Sequence, residues 1–150
     1  MNTLARHSFR LLLCLALGLA LQLHAATAKD IQGEWLLDGA ATWEAMKTSP
    51  QIAAMPPDQQ KMVGEMMVKQ MSGASTTVTA DKLISTKPDG MVEESTYKVT
   101  KTEGDKVTTE STKADGTVET TEITVTGDTL LLKSPSHPGM TIVMKRKAAK

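Results

Sequence analysis

Four methionines stand out first. Met62 and Met66 are four residues apart, and so are Met67 and Met71. On a helix each pair shares a face. Thioethers are soft ligands suited to Cu(I), so one reading is copper handling by these sulfurs. A plainer reading is packing, because flexible methionine side chains fill irregular apolar gaps. A third is an adaptable surface for an apolar ligand or a partner. No histidine lies nearby to complete a copper set, and packing is the best-supported of the three.

Other reactive side chains are sparse. His137 sits in Ser134-Pro135-Ser136-His137-Pro138-Gly139. A Ser–His pair needs an orienting third group and an oxyanion site. A crowded, proline-flanked turn supplies neither, so His137 reads as an exposed turn residue. Glu93 and Glu119 each follow an Asp-Gly turn. Facing inward at one rim, they would form paired carboxylates or a cation site. A bulge after the turn would instead aim them at water, which is the simpler expectation. Asp89 and Asp115 are turn formers without EF-hand spacing. Lys145, Arg146, Lys147 and Lys150 form a basic end that reads as a solvated strand terminus. Nothing here marks an enzyme, a resident metal or a cofactor.

The elements that position these residues divide unevenly along the chain. Apolar residues are 40% of 150, yet they crowd into the first 28. Arg6 and Arg10 precede an apolar run from Leu11 to Leu23, and Ala26-Thr27-Ala28 follows. This is the pattern of a secretory signal peptide, with cleavage expected after Ala28. The run is short for a membrane span of ~30 Å. Cys14, the only cysteine, lies inside it after Leu13, where a lipoprotein site would need a small residue. The domain from 29 to 150 then has no disulfide or thiolate chemistry. Asn2 is the only asparagine, so that domain also has no N-glycosylation acceptor. An exported bacterial protein, periplasmic or secreted, is expected. Lys+Arg and Asp+Glu both number 17, which excludes a strongly basic nucleic-acid binder.

After the leader, residues 31–38 read as a strand. Residues 39–73 change character, with a helix expected over 57–72 and a shorter one near 40–47. Pro57 and Asp58 suit the longer helix's start, and Gly73 its stop. From 74 onward Thr and Val alternate between turn signals 8–12 residues apart, the rhythm of an all-β sandwich or barrel. Strands are expected near 75–80, 82–87, 91–101, 106–113, 117–126, 129–133 and 140–146. An internal repeat underlies two of the turns. Ser85-Thr86-Lys87-Pro88-Asp89-Gly90-Met91-Val92-Glu93 returns as Ser111-Thr112-Lys113-Ala114-Asp115-Gly116-Thr117-Val118-Glu119. Tandem hairpins of this kind favour an up-and-down meander. Tyr97 and Val99 align with Ile123 and Val125, which marks the inner face. On 106–113 that face carries Val107, Thr109 and Ser111. Such small side chains leave the interior either filled by the helix or partly empty.

Ile31-Gln32-Gly33-Glu34-Trp35 carries a Gly-x-Trp opening, and Arg146 lies on the last strand. With export and about eight antiparallel strands, the chain resembles the lipocalin-like (calycin) barrels, in particular small secreted bacterial ones of unassigned role. The resemblance implies that Gly33, Trp35 and Arg146 close the barrel, with Arg146 stacked on Trp35. It departs from the family in its helical insertion, 39–73, between the first two strands. It also has few aromatics for an apolar pocket. The expectation is a mainly β, lipocalin-like up-and-down barrel or half-barrel. The helix should cover one end or lie across a face, Met side inward. The implied function is non-enzymatic binding of a small, lipid-like or amphipathic molecule. Tyr97, Thr109, Ser111, Ile123, Met66 and Met67 are the candidate ligand contacts. A filled barrel serving envelope partners, or Cu(I) handling, are the alternatives.

Overall fold

The computed structural model describes residues 26–148. Most of the expected leader lies outside the described residues. Eight strands form a closed antiparallel barrel in sequential order. They are β1 (Gly33–Leu37), β2 (Ser75–Val78), β3 (Lys82–Thr86), β4 (Val92–Glu103), β5 (Lys106–Thr112), β6 (Val118–Thr126), β7 (Thr129–Lys133) and β8 (Thr141–Arg146). Closure comes from β1 pairing with β8, Trp35 opposite Arg146. Closing the sheet removes the exposed edges that Thr- and Val-rich strands would otherwise present.

Between β1 and β2 run α1 (Gly39–Met46), α2 (Pro50–Ala53) and α3 (Pro57–Met71). Asp38 caps α1, its carboxylate accepting from the Ala41 amide at 2.9 Å and pairing with Lys145 at 2.6 Å. Those contacts hold the Asp38 carboxyl below its ordinary pKa, the backbone hydrogen bond from Ala41 first and the Lys145 hydrogen bond second. α1 packs on the outer face of β8. Thr42, fully buried there, accepts from the Val143 amide at 3.0 Å. Val143 lies beyond the end of β1, so Thr42 serves a ladder group that β1 no longer reaches.

α3 forms a second layer over α1. Its placement corrects the expectation of a methionine face turned inward. Gly64 is its only buried residue, while Met62 and Met66 are among the exposed large apolar side chains. Met67 and Met71 are half-buried. The reason is close helix contact. A Cβ on Gly64 would lie 2.7 Å from Trp43 Cε2, and one on Gly39 would lie 3.0 Å from the Val68 backbone. The two glycines let α3 approach α1, and this fixes Gly64 rather than Met62 or Met66 toward the protein.

With no helix inside, the barrel fills only one end. Trp35, Val78, Tyr97, Val107, Ile123 and Leu130 form a buried floor, with Ile31 and Ala26 beneath it; cleavage after Ala28 would remove Ala26 and leave Ile31 to cover the base. The chain just before β1 closes this base. The Trp35 indole N–H donates to the Ile31 carbonyl at 2.8 Å. Arg146 lies over the indole, its Cζ 4.1 Å from the ring centroid. Its guanidinium donates to the Gln32 and Asp30 carbonyls, each at 2.9 Å. Gly33 has φ +128°, and a Cβ there would lie 2.7 Å from the guanidinium nitrogen Nη1. The glycine of Gly-x-Trp therefore makes room for the arginine.

Candidate functional site

The opposite end of the barrel stays open. Its rim is built by the β3–β4, β5–β6 and β7–β8 connections. The first two are the repeated segments. In each, a lysine and the residue four positions on bracket a tight turn: the Lys87 amide donates to Met91 O and the Lys113 amide to Thr117 O. Gly90 and Gly116 take φ +85° and +84°, as the last position of a three-residue hairpin loop requires. Asp89 and Asp115 each accept from the amide two residues on. That backbone hydrogen bond is the main cause that lowers the Asp115 pKa.

Alternation along the strands decides what the rim surrounds. With Trp35, Tyr97 and Ile123 inside, every second residue toward the open end also faces inward. The register joins Thr76 to Ser85, Tyr97 to Ser111, Thr109 to Thr121, and Ser111 to Glu119. Two hollows result, with Glu119 and Thr121 in the walls of both. The larger, about 640 Å³, is lined by Leu83, Ser85, Glu93, Ser95, Ser111, Glu119 and Thr121, among others. The smaller, about 300 Å³, runs from Glu119 and Thr121 to Leu132, Ser134, Met140 and Ile142. The first wall mixes hydroxyls with charged side chains, Glu93, Glu94, Lys113, Asp115 and Glu119 among them, and the second sets Leu132, Met140 and Ile142 beside Lys133 and His137.

The two repeat-equivalent glutamates differ. Glu93 is exposed at the rim and pairs with Lys87 at 2.5 Å, a hydrogen bond that is the main cause raising the Lys87 pKa. Glu119 has a side chain only 29% exposed and borders both hollows. Its contacts are long. Lys113 Nζ stands 3.4 Å from one carboxylate oxygen, and the Ser134 hydroxyl donates to the other at 3.4 Å. Ser134 thus turns to a carboxylate and not to His137, whose amide closes the local turn by donating to Ser134 O.

The ligand contacts expected from sequence scatter. Ser111 lines the larger hollow, its hydroxyl donating to the Glu119 carbonyl at 3.4 Å. Tyr97 and Ile123 belong to the floor below it. The Tyr97 hydroxyl donates to Thr79 O at 2.7 Å, and burial raises its pKa. Thr109 is buried, donating to Thr121 O at 3.4 Å. Met66 and Met67 lie on α3, outside the barrel, so they do not line either hollow. The four helix methionines divide into an exposed pair and a half-buried pair on different faces. Ser85, Ser95, Thr121, Leu132 and Ile142 were not singled out by sequence. Counting by twos from Tyr97 and Ile123 reaches Ser95, Thr121 and Glu119.

Among the described residues, no group of three or more His, Cys, Asp or Glu is arranged to hold a metal ion, and no helix is long and apolar enough to cross a membrane. A broad depression of about 570 Å³ lies outside the barrel between α1 and α3, beside Trp43 and Val68. The fold and its open end define an eight-stranded antiparallel barrel with a packed floor and a polar mouth. No family model, curated protein or solved structure matches the chain.

Proposed function

We propose that this is an exported, lipocalin-like binding protein that holds a small amphipathic molecule in the open end of its barrel, without transforming it. The observation that carries the reading is the mouth itself: a hollow of about 640 Å³ above a closed floor. That is a size suited to small ligands. Its wall of serines, threonine and glutamates favours a ligand with a polar head over a purely hydrocarbon one, because a buried hydroxyl needs a hydrogen-bond partner. The base supports the lipocalin-like part of the reading. Gly33, Trp35 and Arg146 occupy the places that the resemblance implies, with the arginine over the indole. The leader-like residues 1–28 support export.

Native mass spectrometry of the full-length gene product, purified from the host's envelope and culture fluid, tests this. The expected result is a processed chain carrying a non-covalent adduct of a few hundred daltons. A bare protein, together with no amphiphile shifting the amide signals of Ser111, Glu119 or Thr121, would overturn the binding reading. A chain recovered only in the cytoplasm with residues 1–28 intact would overturn export.

A further inference from the structure

We infer that the ligand is an amphipathic amine, with Glu119 receiving its ammonium group and Leu132, Met140 and Ile142 receiving its apolar body. The inference rests on the mouth being a ligand site and names the ligand's chemistry. Glu119 is the one carboxylate that borders both hollows. Strand pairing fixes it on one side, opposite Ser111. On the other side the β7–β8 connection brings the Ser134 hydroxyl over it. A carboxylate in such a half-buried place normally gathers short, charge-assisted hydrogen bonds of about 2.7–2.9 Å. Here its two side-chain partners both stand at 3.4 Å. The carboxylate keeps acceptor capacity directed into the hollow, and a positive donor fits it better than a neutral one.

The smaller hollow supplies the other half of the match. Leu132 and Ile142 face each other across β7 and β8, and Met140 closes the outer side. Lys133, at the edge of the same hollow, alternates to the opposite face of β7 from Leu132, so it does not point along the apolar wall. Charge at one end and branched apolar surface at the other is the pattern of a monocation with a short hydrocarbon body. Lys113 is then an internal competitor: its ammonium already stands near Glu119 at 3.4 Å, and the ligand's ammonium displaces it. The repeat provides its own control in Glu93, which is exposed and held by Lys87 at 2.5 Å.

The test uses three probes with the same six-carbon chain: n-hexylamine, n-hexanol and n-hexanoate. Each is titrated into the isotope-labelled protein, purified as its host produces it, at physiological salt, with amide shifts of Thr121, Leu132 and Ile142 as the readout. Hexylamine should bind roughly tenfold or more tighter than hexanol, the preference that one charge-assisted contact confers, and hexanoate should bind weakest. E119Q should lower hexylamine to the level of hexanol while hexanol itself is unchanged. E93Q should weaken hexylamine far less than E119Q does, and E103Q, at the closed end of the barrel, should leave all three as in the parent protein. K113A should strengthen hexylamine binding several-fold by removing the competitor. Hexanol and hexylamine binding equally well would overturn the amine inference while leaving the ligand site standing. An amine preference that survives E119Q, or that K113A weakens, would overturn the assignment to Glu119. If no probe shifts the mouth residues, both this inference and the binding reading fail.

Discussion

Substituting Gly33 by alanine tests the closure of the barrel base most sharply, because two separable penalties meet at that residue. The first is conformational. Gly33 has φ +128°, where an L side chain is strained by about 1–3 kcal/mol. The second is steric: the new Cβ would sit 2.7 Å from Arg146 Nη1, so the guanidinium must leave the Trp35 face. Its displacement forfeits a cation–π contact of about 0.5–2 kcal/mol. It also forfeits two hydrogen bonds, to Gln32 O and Asp30 O, each worth about 1 kcal/mol net at this half-exposed place. Arg146→Ala alone should therefore cost about 2.5–4 kcal/mol, and Gly33→Ala about 3.5–7. In the double variant the steric part is already absent and only backbone strain remains. The two effects should fall short of additivity by the Arg146 share, about 2.5–4 kcal/mol, a coupling well above the scatter of independent sites. Urea unfolding followed by circular dichroism measures all four proteins of the cycle. Additivity within about 0.5 kcal/mol would show that Arg146 is not held over Gly33. Trp35→Ala, which empties a fully buried site, should cost more than Arg146→Ala, about 3–5 kcal/mol. If neither changes the unfolding midpoint, the closure described here is wrong.

Thr42→Val keeps the shape but leaves the Val143 amide without its acceptor. Unfolding should show a loss of about 1–3 kcal/mol, whereas Thr42→Ser should recover most of it. Asp38→Ala removes the α1 cap and should cost about 1 kcal/mol near neutral pH. Because the folded pKa of Asp38 is lowered from 3.8, its contribution is complete above that value and disappears as pH falls through the lowered folded value. The gap between parent and variant, followed by unfolding across acid pH, should therefore narrow below pH 3.8; a gap that widens there would reverse the sign of the argument. Gly64→Ala improves helix propensity by about 1 kcal/mol, yet its Cβ would meet Trp43 at 2.7 Å. Net destabilisation with a shift in Trp43 fluorescence is expected, and a stabilised protein would show that the α1–α3 contact is loose.

The strands were legible in the sequence because their signals are local. Val and Thr alternate, and Asp-Gly or Gly-Asp marks most turns, so each expected strand overlaps an observed one within a few residues. The base was legible for a different reason, since Gly33, Trp35 and Arg146 resemble a known closure motif. The helix was found at nearly the right residues, 57–71 against the expected 57–72, but turned the wrong way. Hydrophobic periodicity weights methionine and ignores glycine, whereas the contact that orients α3 is Gly64 against Trp43. A close approach between helices is written in small residues, and an apolar arc does not register it.

The mouth was half-legible, and Glu93 and Glu119 show why. The repeat makes them equivalent in sequence, and alternation puts both on the inner face. In strands rich in Thr and Glu, however, inner and outer faces look alike to any hydropathy scale, so a polar residue near a turn reads as solvated. For Glu93 that reading describes the structure. It pairs with Ser85 of β3, but on its other side β5 has ended at Thr112, opposite Thr96. Glu93 therefore projects beyond its neighbour into the rim. Glu119 is still opposite Ser111, inside the end of β5, and the β7–β8 connection lays Ser134 across it. Identical local sequence yields one solvated and one half-buried carboxylate because the neighbouring strands end at different heights. That stagger is a property of the closed barrel as a whole, and no window along one strand contains it. The repeat supplies two glutamates, and the closure of the sheet sets only Glu119 at the border of both hollows.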